Sequence, residues 1–282
     1  MQRLGVVGAG TMGIGIVQVA AQQGLDVVVC EVEEARVHAA VDGLRRTLDR
    51  LVERGRLERG DADAALARIR PTATYADLAD VDCVIEAVFE DLGVKRDVFG
   101  QLDTVCRDDA ILASNTSSLS ITEVAASTHR PERVVGLHFF NPVPLMGLVE
   151  IVRGVQTTDA TMDAALGVVE RLGKTPVVVR DTPGFIVNRV ARPFYNEALR
   201  LLSDGVADVE TIDRVMKQGG GFRMGPFELM DLIGNDINFA VTSQLFGAYF
   251  GEPKYRPSYL QQRMVQAGAL GRKTKRGFYS YD

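Results

Sequence analysis

Residues 3–31 read RLGVVGAGTMGIGIVQVAAQQGLDVVVCE, and the order of apolar and glycine residues in them sets the architecture of the first half of the chain. A short apolar run leads into a glycine-rich turn, then into apolar residues at helical spacing, then into a second apolar run, DVVVC. This succession predicts a strand, a turn, a helix and a second strand. Strands joined by helices in this way build a doubly wound α/β sheet.

The glycines of the turn fit the pattern G-x-G-x-x-G. In that pattern the first glycine permits a tight turn, the second lets the backbone approach a pyrophosphate, and the third lets the helix pack closely on the strand. The N–H groups at the start of the helix can then hydrogen-bond the phosphates. We therefore predict that the turn binds a dinucleotide through Gly8, Gly10, Thr11, Met12 and Gly13.

Glu31 lies at the end of the second predicted strand, 18 residues after Gly13. A carboxylate at this point can accept hydrogen bonds from the adenosine ribose, and it would repel a 2′-phosphate. The sequence thus favours NAD over NADP, with the nearby Arg36 as the one feature that favours NADP.

Residues 34–70 form two stretches with apolar residues at helical spacing, separated by the turn ERGRLERGD. They predict a helical hairpin inserted between the second and third strands. Nine arginines lie in the hairpin, and Arg46, Arg50 and Arg54 follow one another at four-residue steps on one side of its first helix. These arginines form either a solvated face with Glu–Arg pairs or a basic patch that binds a phosphorylated part of the substrate.

Further apolar runs are typical of strands and are mostly separated by helix-like segments. Their alternation predicts a Rossmann-type doubly wound sheet over residues 1–182. The segment SNTSS directly follows one of these strands, which places it at the carboxyl edge of the sheet, where such folds bind ligands. The runs are VDCVIEAV, AILASN, RVVGLHFF, GLVEIVRG and TPVVVRD.

Residues 183–282 contain only helix-like patterns separated by glycine-rich turns. Thr182 is a suitable N-cap for a helix with Pro183 in its first turn. A chain of 282 residues also exceeds the usual size of one hydrophobic core. We therefore predict a second, smaller, all-α domain from residue 183 onward.

Composition excludes several classes of protein. A net charge of −5 provides no footprint for nucleic acid or anionic membrane. The three cysteines are far apart and lie in or beside apolar runs, which predicts reduced, buried thiols rather than disulfides or a metal site. No apolar run approaches the roughly 20 residues that span a bilayer, and the first strand begins too close to Met1 for a signal peptide. We expect a cytoplasmic protein.

Together, motifs between residues 5 and 281 resemble the short-chain L-3-hydroxyacyl-CoA dehydrogenases, including the bacterial 3-hydroxybutyryl-CoA dehydrogenases. The resemblance covers nearly the whole chain and rests on several long motifs rather than on the glycine turn alone. The matching stretches are GVVGAGTMGIGI, VIEAVFEDLGVKRDVF, ILASNTSSLSI, GLHFFNPVPLM, LVEIV, DTPGFIVNRV, MGPFELMDLIG and GRKTKRGFYSY.

The resemblance implies that the protein oxidises an L-3-hydroxyacyl thioester to the 3-ketoacyl thioester with NAD, or catalyses the reverse reduction. It also implies four catalytic residues: His138 in LHFFNP, Glu150 in LVEIV, Ser117 in SNTSS and Asn188 in GFIVNR. Ser117 and Asn188 would also contact the substrate.

The chemistry suits these side chains independently of the resemblance. Removing hydride from a secondary alcohol requires a base for the hydroxyl proton, and histidine, with a reference pKa of about 6.5, suits that task. A carboxylate against the second ring nitrogen would fix the tautomer and stabilise the imidazolium. Glu150 would otherwise be a costly charge in an apolar strand, while Ser117 and Asn188 can hydrogen-bond the reacting oxygen. The other two histidines, His38 and His129, lie in polar surroundings typical of the surface.

The resemblance further implies a homodimer and contacts to coenzyme A from the hairpin, with Arg50 and Arg54 as phosphate ligands. An amphipathic helix at MGPFELMDLIG would gain core by pairing with a second copy. Five more residues are implied to lie near the cofactor: Glu90, Lys95, Asn115, Asn141 and Lys273.

Two departures from the family keep alternatives open. Gly147 stands where relatives commonly have lysine, and the hairpin uses arginine where lysines are frequent. One alternative is the same chemistry on a substrate tethered to an acyl carrier protein. A second is a dehydrogenase for a free hydroxy acid or sugar acid. The third, a dinucleotide-binding protein without turnover, conflicts with the presence of all four implied catalytic residues.

Overall fold

The structure is a computed structural model that describes all 282 residues. The chain divides into two compact units, Met1–Thr182 and Pro183–Asp282. The first unit contains an eight-stranded sheet with helices, and the second is helical. The predicted fold class, a Rossmann-type α/β unit with a helical hairpin followed by a smaller all-α unit, is confirmed. None of the helices combines the length and apolar character that crossing a membrane requires.

The strand order across the sheet is β3-β2-β1-β4-β5-β6-β7-β8. The first six strands in this order are parallel, β7 is antiparallel to β6, and β8 is parallel to β7. The carboxyl ends of the parallel strands therefore meet at one edge. In chain order the strands are β1 (Arg3–Val7), β2 (Asp26–Cys30), β3 (Ile69–Thr72), β4 (Cys83–Glu86), β5 (Ile111–Ser114), β6 (Val134–Phe139), β7 (Leu148–Arg153) and β8 (Thr175–Arg180).

Helices of the first unit pack their apolar faces on the sheet, where Ile16, Val17, Leu44 and Leu48 join the strand residues in one core. Several begin with a side-chain cap, as when Asp91 accepts a hydrogen bond from the backbone N–H of Val94. The helices are α1 (Thr11–Gln22), α2 (Glu34–Glu53), α3 (Arg59–Ala67), α4 (Leu92–Val105), α5 (Ile121–Ala125) and α6 (Asp159–Arg171).

The end of the hairpin differs from the prediction. Its second helix was expected to reach residue 70, but α3 ends at Ala67 and residues 69–72 form strand β3. β3 pairs only with β2, at the edge of the sheet. Such an edge tolerates Pro71, whose missing N–H costs no ladder hydrogen bond on the outer side. With four residues, one of them proline, the strand leaves little pattern in the sequence.

In the second unit, Tyr195, Leu199, Phe227 and Met230 form the centre of a separate hydrophobic core. The unit has five helices: α7 (Val187–Ser203), α8 (Val209–Gln218), α9 (Pro226–Ile233), α10 (Asn235–Ala248) and α11 (Tyr259–Gln266).

The start of α7 also differs from the prediction, because Thr182 does not cap it. The helix begins only at Val187. Gly184 and Phe185 have φ of +76° and +49°, in the left-handed region that a right-handed helix cannot contain. The helix can therefore start only after this turn.

Candidate active site

The glycine turn between β1 and α1 has the geometry that a bound pyrophosphate requires. Gly8 has φ of +97°, and a Cβ there would lie 2.6 Å from the carbonyl oxygen of Ala87. A Cβ on Gly13 would collide with the carbonyl of Gly8, whereas a Cβ on Gly10 would meet no atom within 4 Å. The first and third glycines thus permit close packing, and the second faces open space. Thr11 and Met12 are the first residues of α1, so their N–H groups lie at its N-terminus.

Glu31 lies directly beside this turn. Its Oε2 accepts a hydrogen bond from the backbone N–H of Ala9 at 3.0 Å, and its Oε1 accepts one from Val32 at 2.8 Å. The carboxylate is therefore fixed beside the glycine turn. Arg36, the feature that favoured NADP, instead pairs with Glu33 at 3.1 Å.

His138 and Glu150 lie directly opposite each other on the antiparallel strands β6 and β7. The Nδ1 of His138 is 2.8 Å from Oε2 of Glu150, and the two residues are 6% and 1% exposed. A carboxylate accepts the proton of Nδ1, which leaves Nε2 as the ring nitrogen that can take or give a proton. The ring also packs against Phe140, with 4.4 Å between ring centres.

Two predicted cofactor contacts lie near the carboxyl ends of the parallel strands β5 and β6. Asn115 follows β5, and its Oδ1 accepts a hydrogen bond from the backbone N–H of Phe139 at 2.9 Å. This bond ties the end of β5 to the strand that carries His138. Asn141 lies exposed two residues beyond the end of β6.

Ser117 lies in the loop after β5, and Glu90 holds that loop. Oε1 of Glu90 accepts hydrogen bonds from the backbone N–H of Ser117 at 2.9 Å and from its hydroxyl at 3.2 Å. The hydroxyls of Thr116 and Ser118 donate to the same oxygen, at 2.6 and 3.0 Å. The structure thus brings the predicted residues Glu90 and Ser117 together.

Lys95 is completely buried beneath this loop. Its Nζ donates to Oε1 of Glu86 at 2.7 Å and lies 3.4 Å from Oε2 of Glu90. Although burial acts to raise the pKa of Glu90, the cation of Lys95 and the hydrogen bonds from residues 116–118 outweigh burial, so that pKa lies below its ordinary value. The charge of Lys95 therefore acts on two carboxylates of the protein, and its contact with the cofactor stays a prediction.

Glu86 is a residue that sequence reasoning missed. It is the last residue of β4 and fully buried, and its Oε2 accepts a hydrogen bond from Ser114 at 2.7 Å. The signal was an acidic residue ending an otherwise apolar strand, in VDCVIEAV. Such a residue requires a buried cation or several donors, and here it has both.

Asn188 and Lys273 belong to the second unit. Asn188 lies in the first turn of α7, where its Oδ1 accepts a hydrogen bond from Nη2 of Arg192 at 3.3 Å. Nζ of Lys273 donates to Oδ2 of Asp236 at 2.6 Å. Within this unit Lys273 is thus part of an ion pair, and its predicted role at the cofactor is not tested.

Six of the nine arginines in residues 34–70 fall into two groups. Arg36, Arg59, Arg68 and Arg70 each form an ion pair with a carboxylate. Arg50 and Arg54 are exposed near the end of α2 and form no ion pair; Nη2 of Arg50 donates only to the hydroxyl of Thr47, at 3.2 Å. This second group remains available to an anionic ligand.

Other sequence predictions are settled by the structure. The three cysteines are free thiols and buried. His129 is fully exposed beside Asp103, and His38 is more than half exposed beside Glu34, as their polar surroundings indicated.

Comparison with known proteins gives matches over the whole chain. Residues 3–182 match the family description "3-hydroxyacyl-CoA dehydrogenase, NAD binding domain", and residues 184–281 match "3-hydroxyacyl-CoA dehydrogenase, C-terminal domain". The 3-hydroxybutyryl-CoA dehydrogenase of Clostridioides difficile is 45% identical, with 99% of each chain covered. The 3-hydroxyadipyl-CoA dehydrogenase of Escherichia coli is 46% identical over all of this chain and 59% of its own length. Among solved structures, the (S)-3-hydroxybutyryl-CoA dehydrogenase of Ralstonia eutropha is 46% identical and superimposes with a TM-score of 0.95, covering 100% of this chain and 99% of its own.

Proposed function

The chain belongs to the 3-hydroxyacyl-CoA dehydrogenase family, and we propose that it interconverts a short-chain L-3-hydroxyacyl-CoA, 3-hydroxybutyryl-CoA above all, with the 3-ketoacyl-CoA. Relatives with that activity match this chain along nearly its full length at 45 and 46% identity. The observation that carries the proposal is the buried His138–Glu150 pair, 2.8 Å apart.

In this proposal the pair moves the proton of the reaction. A nicotinamide dinucleotide supplies the hydride acceptor or donor when bound. During oxidation, Nε2 of His138 takes the hydroxyl proton of the substrate, and Glu150 stabilises the imidazolium that results. During reduction the imidazolium returns that proton to the forming alcohol. Ser117 and Asn188 donate hydrogen bonds to the substrate oxygen, where negative charge develops.

The cofactor would be held by the glycine turn and by Glu31. The glycine turn accommodates the pyrophosphate beside the start of α1, and the carboxylate of Glu31 accepts the ribose hydroxyls. We favour NAD over NADP because a 2′-phosphate would approach this carboxylate. Glu31→Ala should narrow the gap between the KM values for NADH and NADPH; an unchanged ratio would contradict the assignment.

The direct test of the function is consumption of NADH with acetoacetyl-CoA. The wild type should turn over, and His138→Gln should lower kcat by about 10²- to 10⁴-fold because it removes the general acid. His129→Gln is the matched control, since that histidine is fully exposed. Thermal unfolding of all three proteins checks that the fold survives. Equal rates in wild type and His138→Gln would rule out the assigned base.

We propose that the acyl group of the substrate is carried by coenzyme A. Arg50 and Arg54, exposed and without carboxylate partners, support coenzyme A as the carrier, because its phosphates complement two guanidinium groups. The rival is an acyl carrier protein, whose phosphopantetheine arm lacks the adenosine phosphates. Comparing acetoacetyl-CoA, acetoacetyl carrier protein and a longer 3-ketoacyl-CoA in one assay separates these substrates. Turnover of any of them would also exclude a dinucleotide-binding protein without activity.

The proposal also includes the oligomeric state of the protein and its cellular compartment. We propose a homodimer formed through the second unit, where Val215, Phe222, Leu232 and Phe250 are exposed apolar side chains. Light scattering on the purified protein would give twice the mass of one chain, and a single-chain mass would contradict it. The three free thiols favour a reducing compartment, the cytoplasm.

A further inference from the structure

Arg192 is a buried cation without a carboxylate partner. It lies on α7 with 4% of its surface exposed, and none of its contacts is to a carboxylate. Burial lowers the pKa of Arg192 to about 10, so the guanidinium still carries its charge at neutral pH. A buried charge without a counter-charge is costly. Its presence therefore points to a role that the positive charge serves.

The contacts of the guanidinium show where that role lies. Nη1 donates to the backbone carbonyl of Asn238 at 3.1 Å, and the guanidinium carbon lies 4.8 Å from the centre of the Tyr195 ring. Nη2 donates to Oδ1 of Asn188 at 3.3 Å. Only the last of these contacts reaches a residue proposed to touch the substrate. Nε is buried without a hydrogen-bond partner. The protein therefore does not supply an acceptor for every donor of the guanidinium, and hydrogen bonding alone does not explain why an arginine is buried here.

We propose that Arg192 is a positioning residue that fixes the side-chain amide of Asn188. A guanidinium has five donors and no acceptor, so the Asn188 atom that faces it must be the carbonyl oxygen. The NH2 group of Asn188 is then directed away from Arg192 as a donor. In the opposite orientation of the amide, two donors would face each other. This inference rests on the proposed function, in which Asn188 donates to the reacting oxygen.

The charge of Arg192 should also make the side-chain NH2 group of Asn188 a stronger hydrogen-bond donor. A cation at the carbonyl oxygen polarises the amide and makes its N–H groups better donors, an effect that grows in a buried site. The benefit is largest when the substrate oxygen is most negative, which is during hydride transfer rather than during binding. Arg192 should therefore influence kcat more than KM.

Rigid surroundings hold both ends of this contact. Asn188 follows the left-handed turn at Gly184 and Phe185, where a Cβ on Gly184 would lie 2.8 Å from Cδ2 of Leu245. At the other end, the carbonyl of Asn238 also accepts the hydroxyl of Thr242, at 2.8 Å. The start of α7 and the helix α10 thus hold Asn188 and Arg192 in place relative to each other.

A double-mutant cycle of Asn188→Ala and Arg192→Met tests the proposal, with kcat and KM for acetoacetyl-CoA and NADH measured for each protein. We expect Arg192→Met to lower kcat by about 10-fold with little change in either KM, and to have no further effect when Asn188 is already alanine. Arg192→Lys keeps the cation and should recover part of the loss. Arg200→Met, on the exposed side of the same helix, is the control and should leave kcat unchanged.

The outcomes separate the inference from the proposed function. If Arg192→Met lowers kcat by the same factor in both backgrounds, or leaves kcat unchanged, Arg192 does not act through Asn188 and the inference is wrong. If Asn188→Ala alone keeps full kcat, the proposed role of Asn188 fails instead. Should Arg192→Met not fold, the cycle is run with Arg192→Lys, for which the same absence of effect in the alanine background is required.

Discussion

Two buried sets of charges in the first unit differ in what their chemistry permits. His138 and Glu150 face each other across antiparallel strands at 2.8 Å, and Lys95 and Glu86 lie between a helix and a strand at 2.7 Å. All four are almost or wholly buried. The imidazole of His138 has a second ring nitrogen that can accept or release a proton, whereas the ammonium group of Lys95 is held by two carboxylates. The first pair can therefore move a proton, and the second can only hold its neighbours in place.

The difference lies in residue type and not in burial or distance. The cluster of Lys95, Glu86 and Glu90 ends at the loop of Ser117 and thus orients a residue that is proposed to contact the substrate. Changes in the His138–Glu150 pair should therefore affect rate first, and changes around Lys95 should affect stability first.

Glu150→Gln should have the largest effect on rate after His138→Gln. It removes the charge that stabilises the imidazolium but preserves shape, so we expect kcat to fall by about 10²-fold or more. The melting temperature should change far less than in variants of Lys95. Kinetics with acetoacetyl-CoA and NADH, with thermal unfolding of the same samples, measure both quantities. If Glu150→Gln unfolds more easily but the folded protein keeps its full rate, the pair acts on stability as Lys95 and Glu86 do, and the distinction between the two pairs is wrong.

Lys95→Met should have the largest effect on stability. It leaves Glu86 as an unpaired buried charge, which costs about 3–5 kcal/mol of the free energy of unfolding. Denaturant unfolding at neutral pH measures this loss. Lys217→Met, which removes a partly exposed partner of Glu228, is the control and should cost much less.

The loss in Lys95→Met should depend on pH in a definite direction. Lys95 helps to hold the pKa of Glu90 below its ordinary value, so ionised Glu90 stabilises the folded wild type above that ordinary value, and the contribution disappears as pH falls through the lowered pKa. The variant lacks this contribution. The difference in unfolding free energy should thus stay nearly constant from neutral pH down to about pH 5, and shrink as pH falls below the ordinary glutamate pKa of about 4.3. A difference that grows on acidification would contradict the ion pair.

Arg50 and Arg54 differ from both buried pairs, because they are exposed and form no ion pair with a carboxylate of the protein. Arg50→Gln combined with Arg54→Gln should raise KM for acetoacetyl-CoA by about 10-fold, with kcat and stability nearly unchanged. The increase should shrink at high salt, which screens exposed charges. Arg68→Gln is the control, because Arg68 already pairs with Asp26. An equal effect with a pantetheine thioester that lacks the adenosine phosphates would refute the contact with those phosphates.

Gly147 lies between the strands that carry His138 and Glu150, and its substitution should show the smallest effect. A Cβ there would meet no atom within 4 Å, and Gly147 is not among the glycines with positive φ. Gly147→Lys should therefore change the free energy of unfolding by less than about 0.5 kcal/mol. KM for acetoacetyl-CoA and KM for the acetoacetyl carrier protein are then measured for the wild type and the variant. A change in the ratio of the two KM values would show that residue 147 affects the choice of carrier.

Much of the sheet could be predicted because its strands are buried and regular. The glycine turn, the carboxylate of Glu31 and the polar pair in β6 and β7 were each visible as polar or glycine residues at fixed places among apolar ones. β3 was not, because an edge strand of four residues with Pro71 depends on pairing with β2 rather than on its own pattern. The start of α7 was misplaced for a similar reason, since the left-handed turn at Gly184 and Phe185 outweighs the capping signal of Thr182.

The site could be predicted where a residue acts through its chemistry, and less well where it acts through a neighbour. His138 and Glu150 were recognised as a pair, but their opposition in the register is a property of the folded sheet. Glu86 was missed because nothing in the sequence tells that it faces Lys95. Arg192 follows Asn188 by four residues on α7, but the sequence does not show that its guanidinium is buried there. Both contacts join residues close in the chain, and what the local pattern leaves open is the orientation and burial of their side chains.

The assignment of the proton to the His138–Glu150 pair is tested most directly by a single turnover. Enzyme with bound NADH is mixed with saturating acetoacetyl-CoA, and the oxidation of NADH is followed in wild type and His138→Gln, with the NADH dissociation constant measured on the same samples. The single-turnover rate should fall by about 10²- to 10⁴-fold while the dissociation constant stays within about two-fold. A rate in His138→Gln within a few-fold of wild type would show that another group carries the proton.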